Sequence, residues 1–144
     1  MKPLVTALVA FAALLGFAAP AHAETVSFSM TTQTKGNCVA KVNYEAITHP
    51  DNHGNVYKRV STDTVGGLPG ISGDCTVTVT LKWHNLDSGA KGQVTDDIML
   101  NDQECPVLRC LHIENLPTGP GRVALELGSP LQHTPGKAEI VAYP

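Results

Sequence analysis

From Thr25 onward, apolar and polar residues alternate in short runs, and each run ends at Gly, Pro, Asn or Asp. Thr25–Thr32 places Val26, Phe28 and Met30 against Thr25, Ser27 and Ser29. Lys35-Gly36-Asn37 turns the chain into a second run, where Cys38, Ala40, Val42 and Tyr44 face one way and Lys41, Asn43 and Glu45 the other. Two alternating runs across a glycine-containing turn predict a hairpin. The clearest run has Cys75, Val77, Val79, Leu81 and Trp83 against Thr76, Thr78, Thr80, Lys82 and His84. Its period of two is that of a half-buried strand. Val56–Thr64 is a weaker strand with charges on both faces, which suggests a sheet edge. Further strands are expected at Gln93–Leu100, Leu111–Asn115, Arg122–Leu127 and Lys137–Ala142.

No stretch of ten or more residues beyond Glu24 carries a helical period. About seven to eight short antiparallel strands without substantial helix predict an all-β chain, an immunoglobulin-like β-sandwich. The antibody signature itself is not met, because Trp83 lies outside the Cys38–Cys75 interval.

The N-terminal pattern differs. Lys2 precedes a run of apolar and small residues, Leu4–Ala19, that Pro20 ends and Ala21-His22-Ala23 follows. A basic start, a short apolar run and a small-x-small site together read as a cleaved signal peptide over residues 1–23. The run is shorter than the roughly 20 residues that span hydrocarbon, and no later segment is apolar enough. Residues 24–144 are then one secreted or cell-envelope domain with no membrane span.

Export changes the meaning of the composition. The exported part keeps nine Lys and Arg against thirteen Asp and Glu, a net charge of −4. Without a run of basic residues, the sequence argues against nucleic acid as a partner. Cys38, Cys75, Cys105 and Cys110 all follow the cleavage site. In an oxidising compartment they read as two disulfides, and spacing alone leaves three pairings open. If the Cys38 and Cys75 strands run in the same direction, both cysteines open their strands at one end and face inward. Cys38–Cys75 is then reasonable, and Cys105–Cys110 closes a small ring. A bridge across about 40 residues stabilises by very roughly 3–4 kcal/mol.

Three constellations are candidates for chemistry. The ring Cys105-Pro-Val-Leu-Arg-Cys110 would present Val107, Leu108 and Arg109 on a rigid loop, as secreted protease inhibitors do; its plainer reading is a stapled connection. His49 and His53 flank Asp51 and offer three ligands for a zinc or copper ion; the plainer reading is a solvated turn. Asp96, Asp97, Asn101, Asp102 and Glu104 gather oxygen ligands suited to Ca²⁺, without the D-x-[DN]-x-[DN]-G loop. Gly70-Ile-Ser-Gly73 is not a nucleophile elbow, since Asp74 stands in place of the final glycine. No H-E-x-x-H, phosphate-binding or dinucleotide motif occurs.

The Ala-His-Ala cleavage site, the stretch Trp83-His-Asn-Leu-Asp-Ser-Gly89 and the pattern Gly119-Pro-Gly-Arg-Val…His133-Thr-Pro-Gly136 resemble small secreted proteins of actinobacteria. The resemblance implies an extracytoplasmic immunoglobulin-like sandwich and carries over no site residues. The expectation is a non-enzymatic, cofactor-free module that binds a protein or a cell-envelope component. The alternatives are a protease inhibitor acting through the Cys105–Cys110 loop and an extracytoplasmic metal-binding protein.

Overall fold

A computed structural model describes residues 23–36, 38–67, 75–99 and 112–144. Eight strands follow the alternating runs closely: β1 (Glu24–Gln33), β2 (Cys38–Thr48), β3 (Val56–Gly67), β4 (Thr76–Asn85), β5 (Lys91–Met99), β6 (His112–Leu116), β7 (Gly121–Gly128) and β8 (Gly136–Ala142). The only helical element among the described residues is a single 3₁₀ turn, Pro50–Asn52, capped by His49.

The strands form two antiparallel sheets, ordered β1-β2-β3-β6 and β5-β4-β7-β8. Alternation decides which face of each sheet turns inward. In the first sheet the buried set includes Val42, Tyr44, Ala46, Val56 and Val60; in the second it includes Val77, Val79, Leu81, Val123, Leu125, Leu127 and Ile140. These side chains form one hydrophobic cluster between the sheets. Each buried Val or Leu contributes about 1.5–3 kcal/mol of transfer free energy.

β3 departs from expectation. It is not an edge: β2 pairs with it on one side and β6 on the other. The charge that suggested an edge, Lys58, occupies the inward parity between Val56 and Val60 and is buried.

The Cys38–Cys75 disulfide is present, with the Cα atoms 5.9 Å apart, and it ties the start of β2 to the residue preceding β4. Both cysteines are buried, as the same-end, inward-facing placement requires. Cys105 and Cys110 lie outside the described residues, as do residues 1–22 of the expected signal peptide (1–23) and the presented residues Val107, Leu108 and Arg109.

One side of the molecule is closed by backbone pairing between β1 and the connection that leads into β8. Gln33 N–H donates to Gln132 O at 3.0 Å, and Thr134 N–H donates to Thr31 O at 2.8 Å. The Thr31 N–H also donates to Thr134 Oγ1 at 3.0 Å. Gly136 opens β8 directly against β1: a Cβ there would lie 2.6 Å from Ser29 O, so only glycine allows the approach.

At one end, Asn85 holds three chain segments together. Its buried amide nitrogen donates to Thr118 O (2.9 Å), Gly119 O (3.2 Å) and Pro120 O (2.9 Å). Its Oδ1 accepts from the N–H groups of Asp87 (3.0 Å) and Ser88 (2.9 Å), shaping the β4–β5 turn. Thr118 Oγ1 donates onward to Gly54 O at 3.2 Å. Backbone groups that the sandwich end would bury without partners are thereby satisfied.

Candidate functional site

The outer face of the second sheet carries a hollow of about 590 Å³, within the range of about 300–1,000 Å³ common for ligand sites. Its geometry follows from strand register. One row of outward positions reads Gln93, Lys82, Glu126 and Lys137 across β5, β4, β7 and β8; a second reads Lys91, His84, Ala124 and Glu139. Between them runs the row Gly92, Trp83, Leu125 and Ala138, whose side chains have the opposite parity and whose backbone forms the floor. The methyl group of Ala124 leaves depth that a longer side chain would fill.

Gly92 is required in that middle row. A Cβ there would stand 2.4 Å from the Trp83 ring, so the indole lies directly over the glycine. The indole packs against the hydrophobic core from this position. Trp83 thus anchors the hollow from beneath and does not project into it.

Lys82, Lys91 and Lys137 are exposed at the rim, with His84 half-buried among them. Lys137 Nζ lies 3.5 Å from Glu126 Oε1, while Lys82 and Lys91 form no ion pair among the described residues. Three ammonium groups and one carboxylate, Glu126, line the hollow, with the exposed Glu139 next to Ala124 in the outer row; the lining is locally cationic on a chain that is acidic overall. A second hollow of about 340 Å³ adjoins it and shares Lys82, Gln93 and Glu126. It extends the trough along β4 and β7 toward Ser129 and His133.

Within the β4–β5 turn, Asp87 accepts from the Arg122 N–H (2.8 Å) and from the guanidinium Nε (3.2 Å) and Nη2 (3.1 Å). The Arg122 backbone and side-chain donors hold its carboxyl below the usual carboxylate range.

The metal candidates do not assemble. His49 Nδ1 accepts from Asp51 N–H at 3.2 Å within the 3₁₀ turn and lies 3.2 Å from Asp51 Oδ2. No group of three or more His, Cys, Asp or Glu converges among the described residues, so His53 does not complete a set with them. Of the acidic cluster, Asp96 and Asp97 are neighbours on a strand and point to opposite faces. Asp97 accepts from Thr78 Oγ1 on the outer face at 2.5 Å, and Asp96 turns inward. Asn101, Asp102 and Glu104 lie outside the described residues.

Inside, Asp96 meets a polar group that the pattern of the sequence did not single out. Lys58 Nζ lies 2.5 Å from Asp96 Oδ2 and 2.9 Å from Glu114 Oε2, with Lys58 1% exposed and Asp96 9%. The Tyr44 hydroxyl donates to Asp96 Oδ2 at 3.0 Å. Burial, followed by the Asp96 carboxylate beside it, pushes the Tyr44 phenol well above its ordinary range, so it remains a donor. The signal in the sequence was positional: a lysine at the inward parity between Val56 and Val60.

Among the described residues no helix is long and apolar enough to cross a membrane. Compared with known proteins, the chain matches no family model, no curated protein and no solved structure.

Proposed function

We propose that the chain is an exported, non-enzymatic binding module of the secreted or cell-envelope compartment, and that it holds an anionic glycan on the outer face of its second sheet. The reading combines cleavage after Ala23 with an immunoglobulin-like arrangement of residues 24–144. The order β5-β4-β7-β8 supports the latter, because it follows the C′-C-F-G order of variable-type sandwiches. The first sheet is instead a meander, β1-β2-β3, with β6 added at its edge.

The observation that carries the function is the convergence of Lys82, Lys91 and Lys137 on one hollow. The sequence holds these lysines far apart; strand register brings them together. An elongated trough with a polypeptide floor and ammonium rim suits a polymer bearing carboxylates or phosphates. Such a ligand is recognised through several weak contacts, each sensitive to salt.

Titration of the purified chain with polygalacturonate and with polyphosphate, using neutral dextran as control, tests this. Binding to polygalacturonate is expected, with affinity falling as ionic strength rises, and binding to polyphosphate alone would point away from a glycan. Lys82→Glu with Lys91→Glu should weaken polygalacturonate binding by at least tenfold, roughly 1.4 kcal/mol. Equal binding by the charge-reversed variant, or no binding to polygalacturonate, overturns the proposal.

A further inference from the structure

Lys58 is an unusual occupant of the core. It sits on a central strand of the first sheet, its amine turned into the space between the sheets, where it meets Asp96 from β5 of the other sheet. Glu114 on β6 is its direct register partner and places Oε2 2.9 Å from the same nitrogen. A buried ion pair carries a desolvation penalty that its attraction repays only with excellent geometry. An apolar residue at position 58 would complete the hydrophobic inward face of β3 without that penalty. The arrangement is, however, one that suits a condensation reaction: an amine 2.5 Å from a carboxyl oxygen, a phenol donor on that oxygen, and a second carboxylate on the amine.

We propose that Lys58 and Asp96 are joined by an intramolecular amide bond, formed autocatalytically once the two sheets have packed. A proton passes from the Lys58 ammonium to Asp96 Oδ1, the oxygen that later departs, which frees the nitrogen lone pair and leaves Asp96 with a hydroxyl to lose. The Lys58 nitrogen lone pair then attacks Asp96 Cγ. The oxygen held by Tyr44 takes the developing negative charge, stabilised by the phenol hydrogen bond as in an oxyanion site. Glu114 accepts the proton released by the nitrogen and returns it to the departing oxygen. The C–N bond forms, the second C–O bond of Asp96 breaks, and one water leaves. No oxidant, reductant or activating group enters the balance. Folding supplies the proximity that makes an otherwise slow amine–carboxyl condensation effectively unimolecular.

The two carboxylates are not equivalent. Asp96 is only 9% exposed and receives the Tyr44 hydrogen bond, which suits the electrophile. The Glu114 side chain is 49% exposed, which suits a proton carrier in touch with solvent and opens the route by which water departs. This inference is independent of the glycan reading.

Intact mass measurement of the purified full-length product, reduced and denatured, tests it directly. The mass is expected to fall one water below that calculated for the chain from its established N-terminus. Tryptic digestion should leave the chain uncut after Lys58 and yield a branched peptide joining Lys58 to Asp96. Lys58→Ala and Asp96→Ala should each restore the full mass. Glu114→Gln keeps the pair but removes the proton carrier, so most of the chain should persist unlinked. The full calculated mass in the unaltered protein, with cleavage after Lys58, overturns the proposal even if every variant fails to fold. A branched peptide at Glu114, or a water deficit that survives Lys58→Ala, overturns it too.

Discussion

Asn85 and Lys58 are both buried polar residues, and they show two ways of satisfying that condition. Asn85 spends each of its hydrogen-bonding atoms on backbone, reaching Thr118, Gly119 and Pro120 with one end and Asp87 and Ser88 with the other. No apolar residue can substitute, because the backbone groups would remain buried and unpaired. Asn85→Ala is therefore expected to lower unfolding free energy by about 3 kcal/mol, measured by urea denaturation. Asn85→Asp should recover only the turn contacts, since its carboxylate would face three carbonyl oxygens. Lys58 satisfies its charge with side chains instead, from β5 and β6, and so places chemistry where Asn85 places only architecture.

At the scale of the element, period-two alternation located all eight strands, with ends shifted by only a few residues. It succeeded because each sheet has one buried and one exposed face, so side-chain parity is written directly into polarity. It failed at β3 for the same reason. Lys58 has the polarity of the outer face and the position of the inner one, and only the partners Asp96 and Glu114, distant in sequence, reconcile the two. The cationic trough was hidden for a related reason: Lys82, Lys91 and Lys137 are single residues on three strands, gathered by register and not by any local run. Strand position also governs the packing of β1 against β8, which depends on the missing side chain of Gly136. Gly136→Val is expected to separate these strands, costing about 2–3 kcal/mol. Hydrogen exchange should show faster loss of protection at Thr134 than at the β4 amides.

For the whole molecule, Cys38–Cys75 is the one disulfide among the described residues, and it joins positions 37 residues apart. Replacing both cysteines with alanine is expected to lower stability by roughly 3–4 kcal/mol through the entropy of the unfolded chain. At equilibrium in urea, the midpoint should fall while the fold measured by circular dichroism in buffer is retained. Loss of the fold in buffer would mean that the bridge organises the core as well as limiting the unfolded ensemble. The seam between β1 and the chain running from Gln132 through β8 has a mechanical meaning as well. These strands run in opposite directions along their shared edge, and at its open end Val141 N–H donates to Glu24 Oε2 at 3.3 Å. Tension applied between Glu24 and Ala142 would enter at that end and open the seam contact by contact, like a zipper, instead of loading all of it in shear. The outer strands would peel at low force, while the bridged segment between Cys38 and Cys75 stayed inextensible behind them.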